Sequence, residues 1–126
     1  MRKSLGLITV ALSLGAAPGF ADGDPEEGEA VFRKCKTCHQ VGEGAANRVG
    51  PALNGIVGAL AGQSPDYRYS DALMEAAEGG LTWDEESLGS YLANPKELIP
   101  GTKMSFAGLR KEDDIENVIA YLATFE

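Results

Sequence analysis

The chain has 126 residues, of which 44% are hydrophobic, and its 11 basic and 19 acidic side chains give a formal net charge of −8. This length suits one small domain, whose apolar core is thin unless something supplements it. The excess of acidic groups argues against nucleic acid as a partner, because binding to phosphates depends on lysine and arginine.

The first 21 residues carry the pattern of a secretory signal peptide. A basic pair precedes an uncharged, largely apolar run over residues 5–17, and small residues follow that run. We expect cleavage after Ala21, with Ala17 as the competing position, which leaves one domain over residues 22–126 in the periplasm. The apolar run is short for a membrane span, and an uncleaved N-terminal anchor is the alternative.

A first helix is predicted to begin after Asp24 and to run into a cysteine motif. Asp24 is a good N-cap, Pro25 suits the first helical position, and Glu27 completes an acidic capping box. Val31 and Phe32 supply its apolar face, and the helix is expected to run on into the motif. We therefore expect this helix to carry both cysteines of the chain on its last turns.

The motif Cys35-Lys36-Thr37-Cys38-His39 has the spacing of a c-type haem attachment sequence. Cysteines three residues apart on a helical turn share a face, so both thiols can bond to the vinyl groups of one porphyrin. His39 follows directly, and its imidazole can reach the iron as the proximal ligand. The motif therefore indicates one covalently bound haem c, with Cys35 and Cys38 as its attachment points.

Two other chemistries use a Cys-x-x-Cys pair, namely thiol exchange and zinc binding. Thiol exchange favours a βαβ pattern around the pair, whereas the flanks here are helical in pattern. Zinc needs further cysteine or histidine ligands, but the 2 cysteines and the single histidine of the chain all lie in this motif. Haem is favoured by this elimination, and a haem-free exported thiol protein is the residual alternative.

The middle of the chain reads as glycine-rich loops followed by one short helix. Residues 41–50 and 51–62 have no sustained hydrophobic period and are predicted to be loops. Ser70 can cap a helix over Asp71–Glu78, and Gly79-Gly80 ends it.

Two further helices are predicted before the end of the chain. Thr82-Trp83-Asp84-Glu85 reads as a capping box that opens a helix, and Asn94-Pro95 ends that helix. A loop over residues 98–108 follows. The last helix begins near Lys111, with an apolar face made by Ile115, Val118, Ile119 and Leu122. No convincing strand is present, so the predicted fold class is all-α with long loops.

The second axial ligand of a haem iron cannot be a histidine of this chain, because there is only 1. Met74 lies in a predicted helix, where methionine usually packs a core. Met104 lies in a loop between Gly101 and Gly108. A lone loop methionine is most often a gap filler, but the haem motif makes Met104 the better candidate. A thioether ligand raises the reduction potential of the iron.

Longer motifs resemble those of class I cytochromes c. Residues 100–108, PGTKMSFAG, resemble the sixth-ligand loop of that family, and Asn94-Pro95-Lys96 precedes it as in bacterial cytochrome c2 and mitochondrial cytochrome c. The haem motif, Gly50-Pro51, Leu81-Thr82-Trp83 and Ile119-Ala120-Tyr121-Leu122 match in the same order. The resemblance covers the mature chain and implies the small all-α cytochrome c fold, wrapped around one haem.

The resemblance also implies roles for residues around the haem. The carbonyl of Pro51 would accept the Nδ1–H of His39 and orient the ring. Two side chains would donate to a buried propionate: Tyr69 and Trp83. Two more would lie on the Met104 side of the haem: Tyr91 and Thr102. Gly28 and Phe32 would meet Tyr121 where the first and last helices cross.

The basic residues near the haem form a candidate docking surface, made of Arg33, Lys34, Lys36, Lys96 and Lys103. Such a surface docks briefly on acidic patches of a redox partner. The resemblance implies membrane redox complexes, with a bc1-type quinol:cytochrome c oxidoreductase as donor and a terminal oxidase or photosynthetic reaction centre as acceptor.

The predicted function is that of a soluble periplasmic one-electron carrier in respiration or photosynthesis. We expect a monomer that is not an enzyme and has no small-molecule substrate, because both faces of the iron are filled by protein. The alternative is a five-coordinate haem c enzyme or gas sensor, in which Met104 only packs and the distal site is open.

Overall fold

The computed structural model describes residues 23–126 together with Gly6. Apart from Gly6, the predicted signal peptide over residues 1–21 and its cleavage site at Ala21 lie outside this range. Within the described range, no helix has the length and the apolar character needed to cross a membrane.

Residues 23–126 form short helices that are joined by long loops. The helices are α1 (Pro25–Phe32), α2 (Asp71–Glu78), α3 (Glu85–Ala93), α4 (Pro95–Leu98) and α5 (Glu112–Leu122). The described part of the chain has no strand, and its only strand-like pairing is an isolated antiparallel bridge between Leu60 and Thr82. The predicted all-α class is confirmed.

Helix α1 begins as predicted, but a different residue completes its cap. The side chain of Asp24 accepts the Glu26 N–H at 2.9 Å. The Asp24 N–H donates to Asn117 Oδ1 at 2.8 Å, and Asn117 Nδ2 donates to Glu27 at 3.3 Å. The predicted capping box with Glu27 is therefore wrong, because an amide from α5 takes the N–H that Glu27 was expected to accept.

Helices α1 and α5 cross in close contact, and Gly28 makes that contact possible. A Cβ at Gly28 would collide with the carbonyl oxygen of Asn117 and lie 2.7 Å from the Cβ of Tyr121. Phe32 is 1% exposed, and its ring centroid lies 5.5 Å from that of Tyr121. The contact of Gly28 and Phe32 with Tyr121 is as the sequence implied.

The cysteine motif lies on tight turns beyond the end of α1. The Cys35 N–H donates to Phe32 O at 2.7 Å, and the N–H groups of Cys38 and His39 both donate to Cys35 O, at 3.0 and 2.8 Å. The prediction that α1 carries both cysteines is wrong. The bonds of Cys35 and Cys38 reach the third preceding residue and alternate here with an α-helical bond from His39 to the fourth, which tightens the backbone.

The helices in the middle of the chain differ in how well their caps were predicted. Ser70 caps α2 by accepting the Leu73 N–H at 3.1 Å, as expected. The N-cap of α3 is Asp84, which accepts the Ser87 N–H at 2.7 Å. Thr82 was expected to play this role, but it pairs with Leu60 instead.

Two helical boundaries near the C-terminus differ from the prediction. Helix α4 was not predicted, since Asn94-Pro95 was interpreted only as a stop, whereas Asn94 also caps the new helix. Helix α5 begins at Glu112, one residue after the predicted start at Lys111. The apolar stripes of α3 and α5 are buried and form one wall of a cleft, through Leu88, Leu92, Val118 and Leu122.

Candidate haem site

One cleft collects the predicted ligands and supporting residues. It contains about 1330 Å³ of space outside the protein atoms, part of which is continuous with solvent. Its walls are mainly apolar and include Phe32, Leu53, Ile56, Leu73, Phe106 and the stripes of α3 and α5. The predicted residues that line it are Cys35, Cys38, His39, Pro51, Tyr69, Trp83, Tyr91, Thr102 and Met104.

Cys35 and Cys38 are free thiols that are only partly exposed. Burial raises the pKa of the Cys35 thiol, nearby Cys38 raises it further, and the positive charge of Lys34 opposes both effects. A raised pKa keeps the sulfur protonated, whereas thiol exchange requires a stabilised thiolate. The environment of Cys35 therefore does not favour its thiolate.

The ring of His39 is oriented by a hydrogen bond to the backbone. Its Nδ1 lies 2.7 Å from the carbonyl oxygen of Pro51. Since that carbonyl can only accept, Nδ1 carries the hydrogen and Nε2 keeps its lone pair. Burial lowers the pKa of His39, and the hydrogen bond to Pro51 opposes the shift only in part. The result is a neutral imidazole, the form that binds a metal.

Gly50 packs closely against the His39 ring. It is buried, and a Cβ there would collide with Cε1 of His39 and lie 2.7 Å from both ring nitrogens. Its N–H donates to Cys38 O at 2.8 Å, which links the loop to the cysteine turn. The Gly50-Pro51 motif is visible in the sequence, but this role of Gly50 is not, because it depends on a contact outside the loop itself.

Met104 is held in its loop by a short chain of hydrogen bonds. Its N–H donates to Thr102 Oγ1 at 3.2 Å, and that hydroxyl lies 2.6 Å from the hydroxyl of Tyr91. Burial raises the pKa of Tyr91, and the bond to Thr102 opposes the shift. Helix α3 therefore fixes the loop through a neutral phenol.

Two aromatic side chains, Trp83 and Tyr69, line the same cleft. Trp83 is 5% exposed, and its ring centroid lies 4.8 Å from that of Tyr91. The hydroxyl oxygen of Tyr69 accepts the Ser64 N–H at 2.8 Å. The O–H of Tyr69 is then left to donate to another acceptor.

Tyr67, for which no role was predicted, also lines the cleft. Its hydroxyl donates to the carbonyl of Val49 at 2.7 Å, and its ring meets Tyr69 edge-on with centroids 4.8 Å apart. The alternation of Tyr67 and Tyr69 was the available signal, because alternate residues of an extended segment share a face.

The five predicted docking residues are exposed, but only Lys34 and Lys103 line the cleft. Lys103 also has contacts within the protein. Its Nζ donates to Arg68 O at 2.6 Å and lies 5.7 Å from the centre of the Tyr67 ring. Lys103 therefore has a structural role that sequence analysis did not foresee.

The residues around the cleft fit a covalently bound haem. The walls are apolar, two thiols lie next to a neutral imidazole, and a thioether lies on the same cleft. Imidazole and thioether are the axial ligands of haem irons with high reduction potential. The donor set therefore suits a haem c better than a zinc ion, which prefers four thiolate or imidazole ligands.

Comparison with known proteins agrees with this fit. The family model described as Cytochrome c matches residues 25–126. Cytochrome c2 from Afifella marina is 54% identical over 99 residues, which are 79% of this chain and 80% of that protein. Cytochrome c2 from Rhodomicrobium vannielii is 52% identical over 123 residues, 97% of this chain and 96% of that protein.

A solved structure gives the same result for the fold. Cytochrome c2 from Rhodospirillum centenum superposes with a TM-score of 0.78 at 40% identity, over 82% of this chain and 98% of that one. Sequence, fold and the chemistry of the cleft thus agree over nearly the whole described range. The chain belongs to the cytochrome c family, as an electron carrier with one covalently bound haem c.

Proposed function

We propose that this protein is a periplasmic one-electron carrier in which His39 and Met104 ligate the two faces of the haem iron. The observation that carries the proposal is that separate loops bring an oriented imidazole and a thioether to one cleft. A haem held by these residues would supply one-electron redox chemistry.

Each residue of the cleft has a distinct part in this proposal. The sulfurs of Cys35 and Cys38 hold the cofactor covalently, so it cannot exchange with solvent or with other proteins. Pro51 fixes the His39 tautomer, and Thr102 fixes the backbone next to Met104. These contacts keep both ligands in place in either oxidation state, which favours electron transfer over binding of a substrate.

Tyr69 and Trp83 are proposed to donate hydrogen bonds to a haem propionate. The O–H of Tyr69 is available, because its oxygen accepts from Ser64. Trp83 is nearly buried beside Tyr91 and lines the cleft. Neutral donors of this kind offset the cost of bringing a carboxylate into an apolar site.

The proposed partners are membrane redox complexes, with a bc1-type quinol:cytochrome c oxidoreductase as donor and an oxidase or reaction centre as acceptor. Support comes from the exposed cations around the cleft, chiefly Lys34 at its edge. The net charge of the chain is −8, so a local basic surface would orient the protein toward an acidic partner. Contacts of this kind are small and short-lived.

Export and processing belong to the same proposal. The family match begins at residue 25, shortly after the predicted cleavage site at Ala21. Removal of residues 1–21 would leave a domain over residues 22–126, which we expect to act as a monomer in the periplasm.

The test is carbon monoxide binding to the reduced holoprotein. A closed iron binds carbon monoxide slowly, because Met104 must leave first, and Met104→Ala is expected to bind it rapidly. Met74→Ala is the matched control and is expected to behave like the parent protein. Rapid binding by the parent protein would instead favour an enzyme or gas sensor with an open distal site.

A further inference from the structure

The loop that follows His39, here termed the proximal loop, comprises residues 40–55 and carries the carbonyl of Pro51 that orients the imidazole. We propose that Asn54 and Phe125 clamp the two ends of this loop together and thereby position that carbonyl. Both would be positioning residues, which act on the iron through another residue. The inference rests on the proposed function, since it concerns His39 as an axial ligand.

The two ends of the proximal loop meet at a junction, here termed the neck, which is formed by Gln40, Gly42, Leu53, Asn54 and Gly55. The Leu53 N–H donates to Gln40 O at 3.0 Å. The side chain of Asn54 bonds to both backbone groups of Gly42. Its Oδ1 accepts the Gly42 N–H at 2.7 Å, and its Nδ2 donates to Gly42 O at 2.9 Å. One amide therefore closes the neck by two bonds, across 12 positions of sequence.

Phe125 holds the neck from outside the proximal loop. The Gly55 N–H donates to Phe125 O at 2.7 Å. The Phe125 ring lies next to Gly42, where a Cβ would be 3.7 Å from Cε1 of the ring, an ordinary van der Waals distance. The same ring meets Tyr121 of α5 edge-on, with centroids 5.0 Å apart. Phe125 therefore contacts both ends of the proximal loop and connects them to α5.

The peptide that holds the imidazole lies directly beside the neck in the chain. The carbonyl of Pro51 lies 2.7 Å from Nδ1 of His39, and the N–H of the same peptide, on Ala52, donates to Asn47 Oδ1 at 2.9 Å. The next residue, Leu53, already belongs to the neck. Because one residue separates this peptide from the neck, a neck that opens also turns the Pro51 carbonyl away from His39.

The hydrogen bond to Pro51 sets how strongly the imidazole donates electrons. An acceptor at Nδ1 makes the other ring nitrogen a more basic ligand, which favours ferric over ferrous iron. A neck that opens weakens this bond, so the reduction potential should rise. Asn54 and Phe125 are uncharged and do not line the cleft, so their effect on the iron must pass through the proximal loop.

The experiment measures, by NMR, how fast the Nδ1–H of His39 in the reduced holoprotein exchanges with deuterium. This proton exchanges only when its bond to Pro51 opens, so the rate reports the open fraction. Asn54→Ala and Phe125→Ala are each expected to raise the rate about fivefold, which is the typical effect of one net hydrogen bond. The reduction potentials of both variants should lie above that of the parent protein.

Two control variants make the result specific. Asn94→Ala is matched to Asn54→Ala, because Asn94 is also exposed and also makes two bonds, which both go to Glu97 at 3.3 and 3.2 Å, outside the proximal loop. Its loss weakens a cap without touching the neck, so the exchange rate should stay that of the parent protein. Phe125→Tyr keeps the ring next to Gly42 and should also match the parent protein.

The outcomes separate the clamp from the proposed function. Exchange in Asn54→Ala and Phe125→Ala that is no faster than in Asn94→Ala would overturn the clamp, as would unchanged reduction potentials in both variants. Ligation by His39 has its own readout, because the porphyrin ring current strongly displaces the NMR signals of an imidazole bound to haem iron. A parent protein whose His39 signals are not displaced would contradict the proposed function itself, whatever the variants do.

Discussion

At the scale of single residues, each proposed axial ligand is oriented by contacts with neighbouring residues. The carbonyl of Pro51 accepts a hydrogen bond from the His39 ring. Gly50 lets the ring pack directly against the backbone, because it has no side chain there. Met104 depends on Thr102, whose hydroxyl is shared between a backbone N–H and Tyr91. The two proposed ligands are therefore positioned by contacts that only the folded chain brings together.

Thr102→Val tests the contact that holds the Met104 loop. The substitution keeps the shape but removes the hydroxyl, which leaves the Met104 N–H and the buried Tyr91 phenol without their partner. We expect the free energy of unfolding to fall by about 1–3 kcal/mol, as for a buried group that loses its hydrogen bond. Chemical denaturation of the holoprotein measures this difference.

Thr82→Val provides the comparison for that substitution. The Thr82 hydroxyl makes only a long bond of 3.4 Å to Gly80 O in an exposed setting. Its loss should change stability by less than about 0.5 kcal/mol. Equal effects at the two positions would show that the Thr102 hydroxyl has no special part in holding the loop.

The candidate ligands can be proposed from the sequence, whereas the contacts that support them could be predicted only in part. The spacing of Cys35, Cys38 and His39 is local, so it is visible in five consecutive letters. The contacts of Tyr67 with Val49 and of Lys103 with Arg68 join positions 18 and 35 residues apart. No local pattern specifies such pairs, and their roles emerged only from the structure.

At the scale of helices, boundaries were predictable where the cap is local and failed where a distant segment competes. Helix α2 begins and ends as its Ser and Gly residues predict. Helix α3 begins later than expected because the Trp83 N–H donates to Ala59 O at 2.7 Å, which keeps this segment extended. Tertiary pairing thus overrides a local capping signal.

The cap of α3 makes stability depend on pH in a defined direction. Hydrogen bonds from the N–H and side chain of Ser87 lower the pKa of Asp84 below its ordinary value of 3.8. A lowered pKa in the folded state means that the ionised cap stabilises the fold fully above 3.8, and that this contribution disappears as the pH falls through the lowered value.

Asp84→Ala should therefore destabilise the holoprotein at neutral pH and lose much of this effect in strong acid. Denaturation of both proteins at several pH values measures the difference. Asp84→Asn keeps a neutral capping oxygen and serves as the control, with a difference from Asp84→Ala that depends little on pH. An Asp84→Ala penalty that grows below pH 3.8 would contradict this account of the cap.

At the scale of the whole molecule, the fold places apolar walls around the cofactor and charges on the outside. Helices α1 and α5 pack against each other, and each carries acidic residues in its first turn. The cations Lys34 and Lys103 lie at the cleft instead.

The fold class was predictable because the apolar residues of the helices recur with helical period. The long loops lack such a period, so their course was not.

Lys96→Gln tests the docking surface without disturbing Lys103, which has its own structural contacts. We expect slower electron transfer to an acidic redox partner at low ionic strength, with the difference fading as salt screens the exposed charge. Stopped-flow kinetics over a range of salt concentrations measures this. Ser90→Glu, on the exposed surface of α3, lowers the net charge by the same amount. If the position of the charge matters, Ser90→Glu should slow electron transfer less than Lys96→Gln.

An equal slowing by Lys96→Gln and Ser90→Glu would show that only net charge counts. The basic surface around the cleft would then have no part in orienting the partner.

The most direct test of the central claim is the far-red absorption band that methionine sulfur gives to ferric haem c. We predict that the oxidised parent protein shows this band, that Met104→Ala abolishes it, and that Met74→Ala retains it. That result would establish Met104 as the ligand opposite His39. A parent protein without the band, or a band that survives in Met104→Ala, would contradict the closed iron on which the carrier function depends.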